Sequence, residues 1–576
     1  MSNIGAKTLF NRLIHHNVKY VFGYPGGAIL PVLNEFYNQN KIKYILSRTE
    51  LGGSFMAEGY AKVTRTPGVV MVTSGPGAIN TMTSLQNALS DGTPLMALTG
   101  QVSTLVLGTD AFQEADVVGI SKPCTKWNSI IKDGSKINST IDQAFIHMLD
   151  KRHGSVLIDL PKNIMSNTQE QETNININIK TINKSSINSN QLWNMLQESK
   201  KPLILAGQGV FQANAQDLLR RFANLNSIPV TTTLMGLGVF PENNICSLKM
   251  LGMHGSYYAN MAVQKCDLLL NFGSRFDDRI IGDPKKFAPN AKIIHVDIDN
   301  KNINKVIKTP YYINGDCKNV LKDLISFDLG GYNFNPSAYQ EWYNEINKWK
   351  KIDFTYPKKN ILQGRQVIKT INKLIYQDMI NQYTIVADVG AHQMWAAQFI
   401  DYNYPKVKWV SSGGLGSMGF ALPASIGVKI GLPNDKVICI CGDGGFTMSF
   451  VELLTAIENK VNIKVFIINN SYQLMVKMWQ EKFYDSRLMG VKMNNPNFEE
   501  VCKAMGCHSC KITTYDQEQL EKELKYVIDY EDGPIVCNVI TDENEEVLPM
   551  VSPGKALDEM IIDEDSKQVF KGDAPC

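Results

Sequence analysis

The stretch 436–480 constrains the fold more than any other part of the sequence. It contains two short apolar runs, at 437–441 and 463–468, and each run ends in a polar turn. Runs of this length predict buried strands of a parallel sheet. The first turn, Gly442-Asp443-Gly444-Gly445, carries no bulky side chain. A phosphate group can therefore approach the backbone amides at the start of the helix predicted for 446–459.

The second run ends in Asn469-Asn470. Because the carboxyl ends of parallel strands open into the same crevice, we expect Asp443 and Asn470 to converge. A carboxylate, an amide oxygen and a diphosphate are ligands that Mg²⁺ prefers. Each turn taken alone is equally typical of an ordinary loop, but the pair at this spacing favours a metal–diphosphate site.

Composition bounds the remaining possibilities. A chain of 576 residues is long enough for roughly three or four domains. The net charge of +2 provides no general field that would attract nucleic acid or an anionic membrane. The 11 cysteines are scattered and indicate reduced thiols. Cys502, Cys507 and Cys510 are close enough to suggest a zinc site, but their spacing favours free thiols.

Targeting signals are weak throughout the sequence. No apolar run approaches the length of a membrane span, and residues 1–20 carry no hydrophobic signal core. We therefore expect a soluble protein with neither a nucleic-acid nor a membrane partner. Frequent Asn, Ile and Lys suggest an AT-rich genome, which leaves the bacterial cytoplasm and the plastid stroma open, with no transit peptide recognised.

The hydrophobic pattern divides the chain into three α/β domains. Residues 1–165 alternate predicted strands, near 21–22, 44–46, 69–72, 95–98 and 156–158, with helices, as in a doubly wound parallel sheet. A polar linker, 166–190, leads to a second α/β domain at 191–330. A connection at 331–360, in which Trp342 and Trp349 are interpreted as packing residues on a helix, precedes a third domain at 361–545 and a tail at 546–576.

One acid in the first domain lies where ligands bind. Glu50 follows a predicted strand and precedes a predicted helix, at the carboxyl end of the strand. On position alone, an acid in the first turn of a helix is equally well explained by the helix dipole.

Two longer segments carry a resemblance that decides between these readings. Residues 48–102, which begin RTELGG, and residues 108–119, GTDAFQEADVVG, resemble the catalytic subunits of the acetohydroxyacid synthase (acetolactate synthase) family. The paired turns at 442–445 and 469–470 are similar to the thiamine diphosphate (ThDP) motif of that family. The resemblance implies a pyrimidine-binding domain at 1–165, a central FAD-binding domain at 191–330 and a diphosphate-binding domain at 361–545.

The resemblance also implies cofactor-binding residues. Glu50 would bond the aminopyrimidine ring of ThDP and supply the proton shuttle that activates the cofactor. The implied Mg²⁺ ligands are Asp443, Asn470 and the main-chain carbonyl of Tyr472. The implied ThDP contacts are Glu50, Gly390, His392, Gly416, Met418, Gly442, Asp443, Gly444, Gly445, Asn470 and Met475. The implied FAD contacts are Arg152, Gly207, Gly209, Thr232, Leu234, Leu251, Met253, His254, Gly273, Arg275, Asp297 and Asp316.

The implied activity is that of a ThDP-dependent transferase in valine, leucine and isoleucine biosynthesis. Pyruvate is decarboxylated and condensed with a second 2-ketoacid, giving 2-acetolactate from pyruvate and 2-aceto-2-hydroxybutyrate from 2-ketobutyrate. FAD would be largely structural, because this reaction involves no net redox change. By resemblance the active site is lined by Glu50, Gly27, Phe112, Gln113, Lys162, Arg279 and Trp479.

Partners follow from the same resemblance. Glu50 and Asp443 lie in different predicted domains, and in this family each site joins domains of two subunits. We therefore expect a homodimer or a dimer of dimers, with a separate small regulatory subunit.

Several positions depart from the family pattern and keep alternatives open. Thr49 replaces a usual histidine and Leu51 a usual glutamine, while Gln208 replaces a glycine. The alternatives are an FAD-dependent pyruvate oxidase and an inactive cofactor-binding regulatory protein. The segments 108–119 and 275–279, and the segment around Trp479, argue against the oxidase. Further departures are Leu474, where glycine is usual, and Met478, where glutamine is usual.

Overall fold

Three parallel sheets of six strands each organise the chain. The structure, a computed structural model, describes residues 4–37, 39–167, 185–329, 339–352 and 360–562. The three-sheet α/β architecture predicted from the sequence is confirmed. The linker predicted at 166–190 lies mostly outside the described residues, as does much of 331–360.

The N-terminal sheet has the strand order β2-β1-β3-β4-β6-β5. All of its neighbouring strands are parallel. Its strands are β1 Tyr20–Tyr24, β2 Lys43–Leu46, β3 Gly68–Val72, β4 Leu95–Gln101, β5 Trp127–Ile130 and β6 Ser155–Pro161. Its helices are α1 Gly5–His15, α2 Leu30–Asn34, α3 Glu50–Thr64, α4 Pro76–Ile79, α5 Met82–Asp91, α6 Val117–Ser121, α7 Ile137–Leu149 and α8 Lys162–Ser166.

The central sheet has the order β12-β11-β10-β7-β8-β9 and is also parallel. Its strands are β7 Pro202–Ala206, β8 Val230–Thr232, β9 Ser247–Met250, β10 Leu268–Phe272, β11 Lys292–Asp297 and β12 Tyr311–Asn314. Its helices are α9 Ser189–Glu198, α10 Gly209–Gln212, α11 Gln216–Leu225, α12 Tyr257–Lys265, α13 Asp278–Ile281, α14 Cys317–Leu329 and α15 Gln340–Lys350. The predicted packing role of Trp342 and Trp349 is confirmed, because their rings meet edge to face at 5.8 Å.

The C-terminal sheet has the order β14-β13-β15-β16-β18-β17. Its central strands are buried on both faces, as expected for strands covered by helices on both sides. Its strands are β13 Tyr383–Ala387, β14 Val407–Ser411, β15 Lys436–Gly442, β16 Ile463–Asn469, β17 His508–Ile512 and β18 Ile535–Ile540. Its helices are α16 Gly364–Gln377, α17 Ala391–Phe399, α18 Ala421–Gly431, α19 Asp443–Ser449, α20 Leu453–Glu458, α21 Leu474–Phe483, α22 Phe498–Ala504 and α23 Gln517–Asp529. A two-stranded ribbon follows, formed by β19 Met550–Val551 and β20 Met560–Ile561.

The helix predicted at 446–459 differs in the structure. It begins earlier, at Asp443, and a 3-10 turn at Phe450–Glu452 divides it into α19 and α20. The division coincides with Glu452, whose buried carboxylate accepts hydrogen bonds from the backbone of the N-terminal domain. A tertiary contact therefore interrupts what local sequence predicts as one helix.

Helices α3 and α18 join the N-terminal and C-terminal domains. Small residues allow their backbones to approach closely. A side-chain carbon at Gly427 would lie 1.8 Å from the Met56 carbonyl oxygen, and one at Gly59 would lie 2.3 Å from the Ala424 carbonyl oxygen. Because α3 starts at Glu50 and α18 follows the loop 412–420, this contact fixes the positions of Glu50 and of the loop relative to each other within one chain.

Two further expectations concern membranes and cysteines. Among the described residues, no helix combines the length and the apolar character that a membrane span requires. The cysteines between 124 and 537 are free thiols. No cluster of three His, Cys, Asp or Glu side chains that could hold a metal ion occurs in the described part of the chain.

Candidate active site

A cavity of about 1330 Å³ lies between the central and C-terminal domains, and residues 149–153 of the N-terminal domain, Asp150 excepted, complete its wall. Its wall contains the turns after β13, β15 and β16 on one side and the turns after β10 and β11 on the other. The cavity brings together most of the residues predicted for ThDP, Mg²⁺ and FAD. Those on its wall are Arg152, Gly209, Leu234, Leu251, Met253, His254, Gly273, Arg275, Asp297, Asp316, Gly390, His392, Gly416, Met418, Gly442, Asp443, Gly444, Gly445, Asn470, Tyr472 and Met475, with Arg279 and Trp479 from the predicted substrate set.

The turn 442–445 is built to receive an anion. Gly442 precedes α19 in an extended conformation, and no side chain caps the helix, so its first amides face the cavity. His392 lies beside this turn, fully buried, and its Nε2 atom has no hydrogen-bond partner among the described residues. Burial lowers the pKa of His392 to about 4, so the ring is neutral near pH 7. An unpartnered imidazole nitrogen beside bare amides fits a diphosphate group.

Gly390, in the turn after β13, and Gly442, at the end of β15, pack closely around His392. A side-chain carbon at Gly390 would lie 2.8 Å from the His392 ring, and Gly390 has a φ of 146°. A side-chain carbon at Gly442 would lie 3.0 Å from the same ring. The sequence therefore leaves a cradle that any larger residue would fill.

The predicted metal ligands Asp443, Asn470 and Tyr472 line the same cavity. Asp443 Oδ2 accepts a hydrogen bond of 2.6 Å from Asn495 Nδ2, and Asn470 Oδ1 accepts one of 3.0 Å from the Tyr472 amide. Burial raises the pKa of Asp443 from its usual range. A buried carboxylate beside an amide oxygen has the chemistry of a Mg²⁺ site. Asn495 was missed by sequence reasoning.

The loop 412–420, which carries Gly416 and Met418, is held by Asp388. The fully buried carboxylate of Asp388 accepts hydrogen bonds from the amides of Val389 at 2.7 Å, Gly419 at 3.0 Å and Ala421 at 3.2 Å. Burial raises the pKa of Asp388 to about 6. Asp388 thus ties the end of β13 to the start of α18, and sequence reasoning did not single it out.

The central-domain part of the wall also contains unpartnered polar atoms. His254 Nδ1 and Ser274 Oγ on the wall, and Thr232 Oγ1 behind it, are buried without a hydrogen-bond partner among the described residues. Burial lowers the pKa of His254 to about 4, which keeps its ring neutral. Buried polar atoms are normally satisfied, so this set fits a polar ligand such as a flavin nucleotide.

Two residues predicted to contact FAD, Gly207 and Thr232, lie behind the wall of the cavity. A side-chain carbon at Gly207 would lie 2.3 Å from the Gly273 carbonyl oxygen, so Gly207 allows the turns after β7 and β10 to pack. Gln208, which replaces the usual glycine, does line the cavity. The departure from the family pattern therefore adds a polar side chain to the wall.

Arg152 lies on the cavity wall, whereas the other residues predicted from the N-terminal domain lie outside it. Glu50 Oε2 accepts a hydrogen bond of 3.0 Å from Asn80 Nδ2. The Gln113 carbonyl lies against Gly75, in the turn after β3. Phe112 is 89% exposed, and Lys162 is exposed as well. Within one chain, the structure does not bring Glu50, Gly27, Phe112, Gln113 and Lys162 onto the cavity that contains Asp443.

The mouth of the cavity combines a cation with aromatic rings. Arg279 has a side chain that is 61% exposed and lies 3.6 Å from Asp278. Trp479 packs edge to face against Phe483 at 5.5 Å. Tyr484 and Arg487 line the same region and were not predicted.

The remaining departures from the family pattern have structural roles. Leu474 and Met478 are buried in the core of the C-terminal domain. Leu51 packs against the core shared by α3 and α18. Thr49 caps the N-terminus of α3, where its side chain accepts a hydrogen bond from the Gly52 amide. Of these four residues, Leu474 also lines the cavity.

Family models match all three domains. They are the thiamine pyrophosphate enzyme N-terminal TPP binding domain at 4–120, the central domain at 189–324 and the C-terminal TPP binding domain at 388–539. Thiamine pyrophosphate is the same compound as ThDP.

Full-length relatives are similar over almost the whole chain. The acetolactate synthase of Schizosaccharomyces pombe, described as mitochondrial, is 41% identical over 97% of this chain and 86% of its own length. The acetolactate synthase large subunits of Cyanidium caldarium and Lactococcus lactis are 41% and 40% identical, each over 97% of this chain and 96% of their own length. The chain therefore belongs to the thiamine pyrophosphate enzymes, in the family of acetolactate synthase catalytic subunits.

Proposed function

We propose that this chain is a transferase that decarboxylates pyruvate and joins the remaining acyl group to a second 2-ketoacid. The products are 2-acetolactate from two pyruvates and 2-aceto-2-hydroxybutyrate from pyruvate and 2-ketobutyrate. The observation that carries the proposal is the identity of about 40% to acetolactate synthases over 97% of the chain. The cavity described above supports it, because ThDP-type and flavin-type contacts share one wall.

ThDP fits the turn 442–445 and the neutral ring of His392. When bound, ThDP supplies a carbon nucleophile that retains the acyl group of pyruvate as CO₂ leaves. Asp443, Asn470 and the Tyr472 carbonyl would hold Mg²⁺, with Asn495 orienting the Asp443 carboxylate. FAD would occupy the central-domain part of the wall, beside Arg275, His254, Asp297 and Asp316. These metal and flavin assignments are supported by the donor sets alone.

The protein residues have distinct tasks in this scheme. Glu50 would exchange a proton with the pyrimidine ring through Oε1, since Asn80 occupies Oε2. Arg279 would hold the carboxylate of the second ketoacid through paired hydrogen bonds. Met475, Val476 and Trp479 would form an apolar wall that limits water at the reacting atoms.

The active unit would be at least a homodimer. Glu50 lies on the N-terminal domain and away from the cavity that contains Asp443, so a complete site needs Glu50 from a second copy. The relatives are named large or catalytic subunits, which supports a separate small regulatory subunit as a partner. The bacterial cytoplasm and the plastid stroma remain the predicted compartments, although fungal relatives are described as mitochondrial.

Turnover of pyruvate by the purified protein, with ThDP, Mg²⁺ and FAD, tests the function. We expect acetolactate from the wild type and a loss of at least about 100-fold in the variants Glu50→Ala and Asp443→Ala. Acetate formation with reduction of the flavin would support a pyruvate oxidase instead. Bound cofactor without consumption of pyruvate, with the partner subunit present, would support an inactive regulatory relative.

A further inference from the structure

A buried carboxylate of the C-terminal domain contacts the turn that carries Glu50. Glu452 is fully buried, in the 3-10 turn between α19 and α20. The Arg48 amide lies 3.1 and 3.0 Å from its two oxygens, and the Thr49 amide donates to Oε1 at 2.9 Å. The Thr49 hydroxyl donates to the same oxygen at 3.0 Å. One carboxylate therefore holds the two residues immediately before Glu50.

Neighbouring groups fix this carboxylate in place. Thr455 Oγ1 donates to Glu452 Oε2 at 2.8 Å and also lies 3.3 Å from the Leu46 carbonyl oxygen. Arg48 forms an ion pair of 2.6 Å with Glu458, on α20. The segment 452–458 thus contacts the turn 46–49 through both backbone and side chains.

The first turn of α3 is shaped for the same contact. A side-chain carbon at Gly52 would lie 2.0 Å from Glu452 Oε1, so a larger residue there would displace the carboxylate. Thr49 Oγ1 accepts from the Gly52 amide at 2.9 Å while it donates to Glu452. A negative group at a helix N-terminus is also favoured by the helix dipole. Three backbone amides between Arg48 and Gly52 are consequently held, those of Arg48 and Thr49 by Glu452 and that of Gly52 by the Thr49 hydroxyl.

Among the described residues, the contacts of Glu452 indicate no role beyond the one at this turn. Burial raises its pKa, and the backbone hydrogen bond from Arg48 is the largest effect that opposes the shift. It does not line the cavity, and its carboxylate forms no ion pair with a described lysine, arginine or histidine. The cost of burying this carboxylate is offset only by hydrogen bonds to the turn and to Thr455.

We propose that Glu452 is a positioning residue, which acts through Thr49 to fix the direction in which the Glu50 side chain leaves α3. The inference rests on the proposed function of Glu50 as the proton shuttle. It also assigns a role to Thr49, which stands where the resembled family usually has histidine. The threonine caps the helix and donates to the carboxylate with one hydroxyl group.

The test combines hydrogen–deuterium exchange with steady-state kinetics. The main variant is Glu452→Gln, whose amide offers one acceptor oxygen and turns an N–H₂ group toward the donors. The matched control is Glu458→Gln, which makes the same chemical change beside the same turn but contacts only the Arg48 side chain. Thr49→Val and Thr49→Ser separate positioning from folding, because Thr49 lies at the surface and serine keeps both hydrogen bonds.

Exchange is measured first, on the protein without cofactors. We expect Glu452→Gln to raise the exchange rate of amides 48–53 by about 10-fold or more, because hydrogen bonds to a charged group are lost. Thr49→Val should show a smaller increase, while Thr49→Ser and Glu458→Gln should stay within about twofold of the wild type. Unchanged exchange in Glu452→Gln and in Thr49→Val would overturn the proposal.

Kinetics is the second readout. We expect Glu452→Gln and Thr49→Val to lower kcat for acetolactate formation by about 10-fold or more, with KM for pyruvate within about threefold. Faster exchange with an unchanged kcat would overturn the positioning role. If the wild type forms no acetolactate, the proposed function fails instead, and the exchange result still decides whether Glu452 holds the turn.

Discussion

A mixed dimer formed from two inactive variants should regain part of the wild-type activity. The perturbation is co-expression of Glu50→Ala with Asp443→Ala. Glu50 lies outside the cavity whose wall contains Asp443, so each complete site should combine Glu50 of one copy with Asp443 of the other. In a mixed dimer, one site then carries both substitutions and the other site carries neither.

The magnitude follows from this arrangement. With random pairing, half of the dimers are mixed and one of their two sites is intact, so about a quarter of the wild-type activity should return. Mixed dimers purified through two different tags should show about half. Each variant alone should retain about 1% or less, because a general acid–base group or a metal ligand is missing.

The assay is acetolactate formation per dimer, with dimer content checked by size-exclusion chromatography. Co-expression of two differently tagged copies of Glu50→Ala is the control, and it should restore nothing. If the mixed dimers form but remain as inactive as their parents, the site is completed within one chain and the reasoning is wrong.

Three further predictions concern the metal site, pH and the domain contact. Asn495→Ala should weaken activation by Mg²⁺ by about 10-fold or more, because the hydrogen-bond donor to the Asp443 carboxylate is lost. The control Asn497→Ala, which removes only a helix cap, should leave activation by Mg²⁺ unchanged. Equal effects of the two substitutions would contradict this prediction. Burial lowers the pKa of His254 to about 4, so the unfolded state binds more protons between pH 4 and 6.5 and stability falls with acidification. Lowering the pH from 7 to 5 should reduce the free energy of unfolding by about 2 kcal/mol through this residue. His254→Gln should therefore flatten the pH dependence of the denaturation midpoint of the cofactor-free protein. Equal pH dependence in the wild type and the variant would refute this prediction. Gly427→Ala should lower the thermal midpoint of unfolding, because the added carbon would lie 1.8 Å from the Met56 carbonyl oxygen of α3. Overpacking of this kind costs about 1–3 kcal/mol, more than the ~1 kcal/mol gained in helix propensity. An unchanged midpoint would contradict this prediction.

Local sequence was sufficient to predict the part of the site that lies at the ends of the consecutive strands β15 and β16. β15 and β16 are neighbours in both sequence and sheet, so the turns that follow them had to open into the same crevice. The order of the apolar runs and turns along the chain is therefore enough to place Asp443 and Asn470 together. The half-buried edge strand β5 was missed, because its sequence WNSI lacks an apolar run.

Contacts between distant segments could not be predicted in this way. Asn495 reaches Asp443 from 52 positions further along the chain, in a loop without periodicity. Glu452 contacts Arg48 across 404 positions, and in the sequence it reads as an ordinary polar residue of an amphipathic helix. The end of a helix segment and the start of another carry no local signal that they will meet in the folded protein.

The stoichiometry of pyruvate consumption tests the central claim most directly. The purified protein would be given ¹³C-labelled pyruvate with ThDP, Mg²⁺ and FAD, while NMR follows products and a second detector measures CO₂. Acetolactate synthase chemistry predicts one CO₂ and one acetolactate for every two pyruvates consumed. One CO₂ for every pyruvate, with acetate or acetaldehyde as the product, would contradict the proposed function.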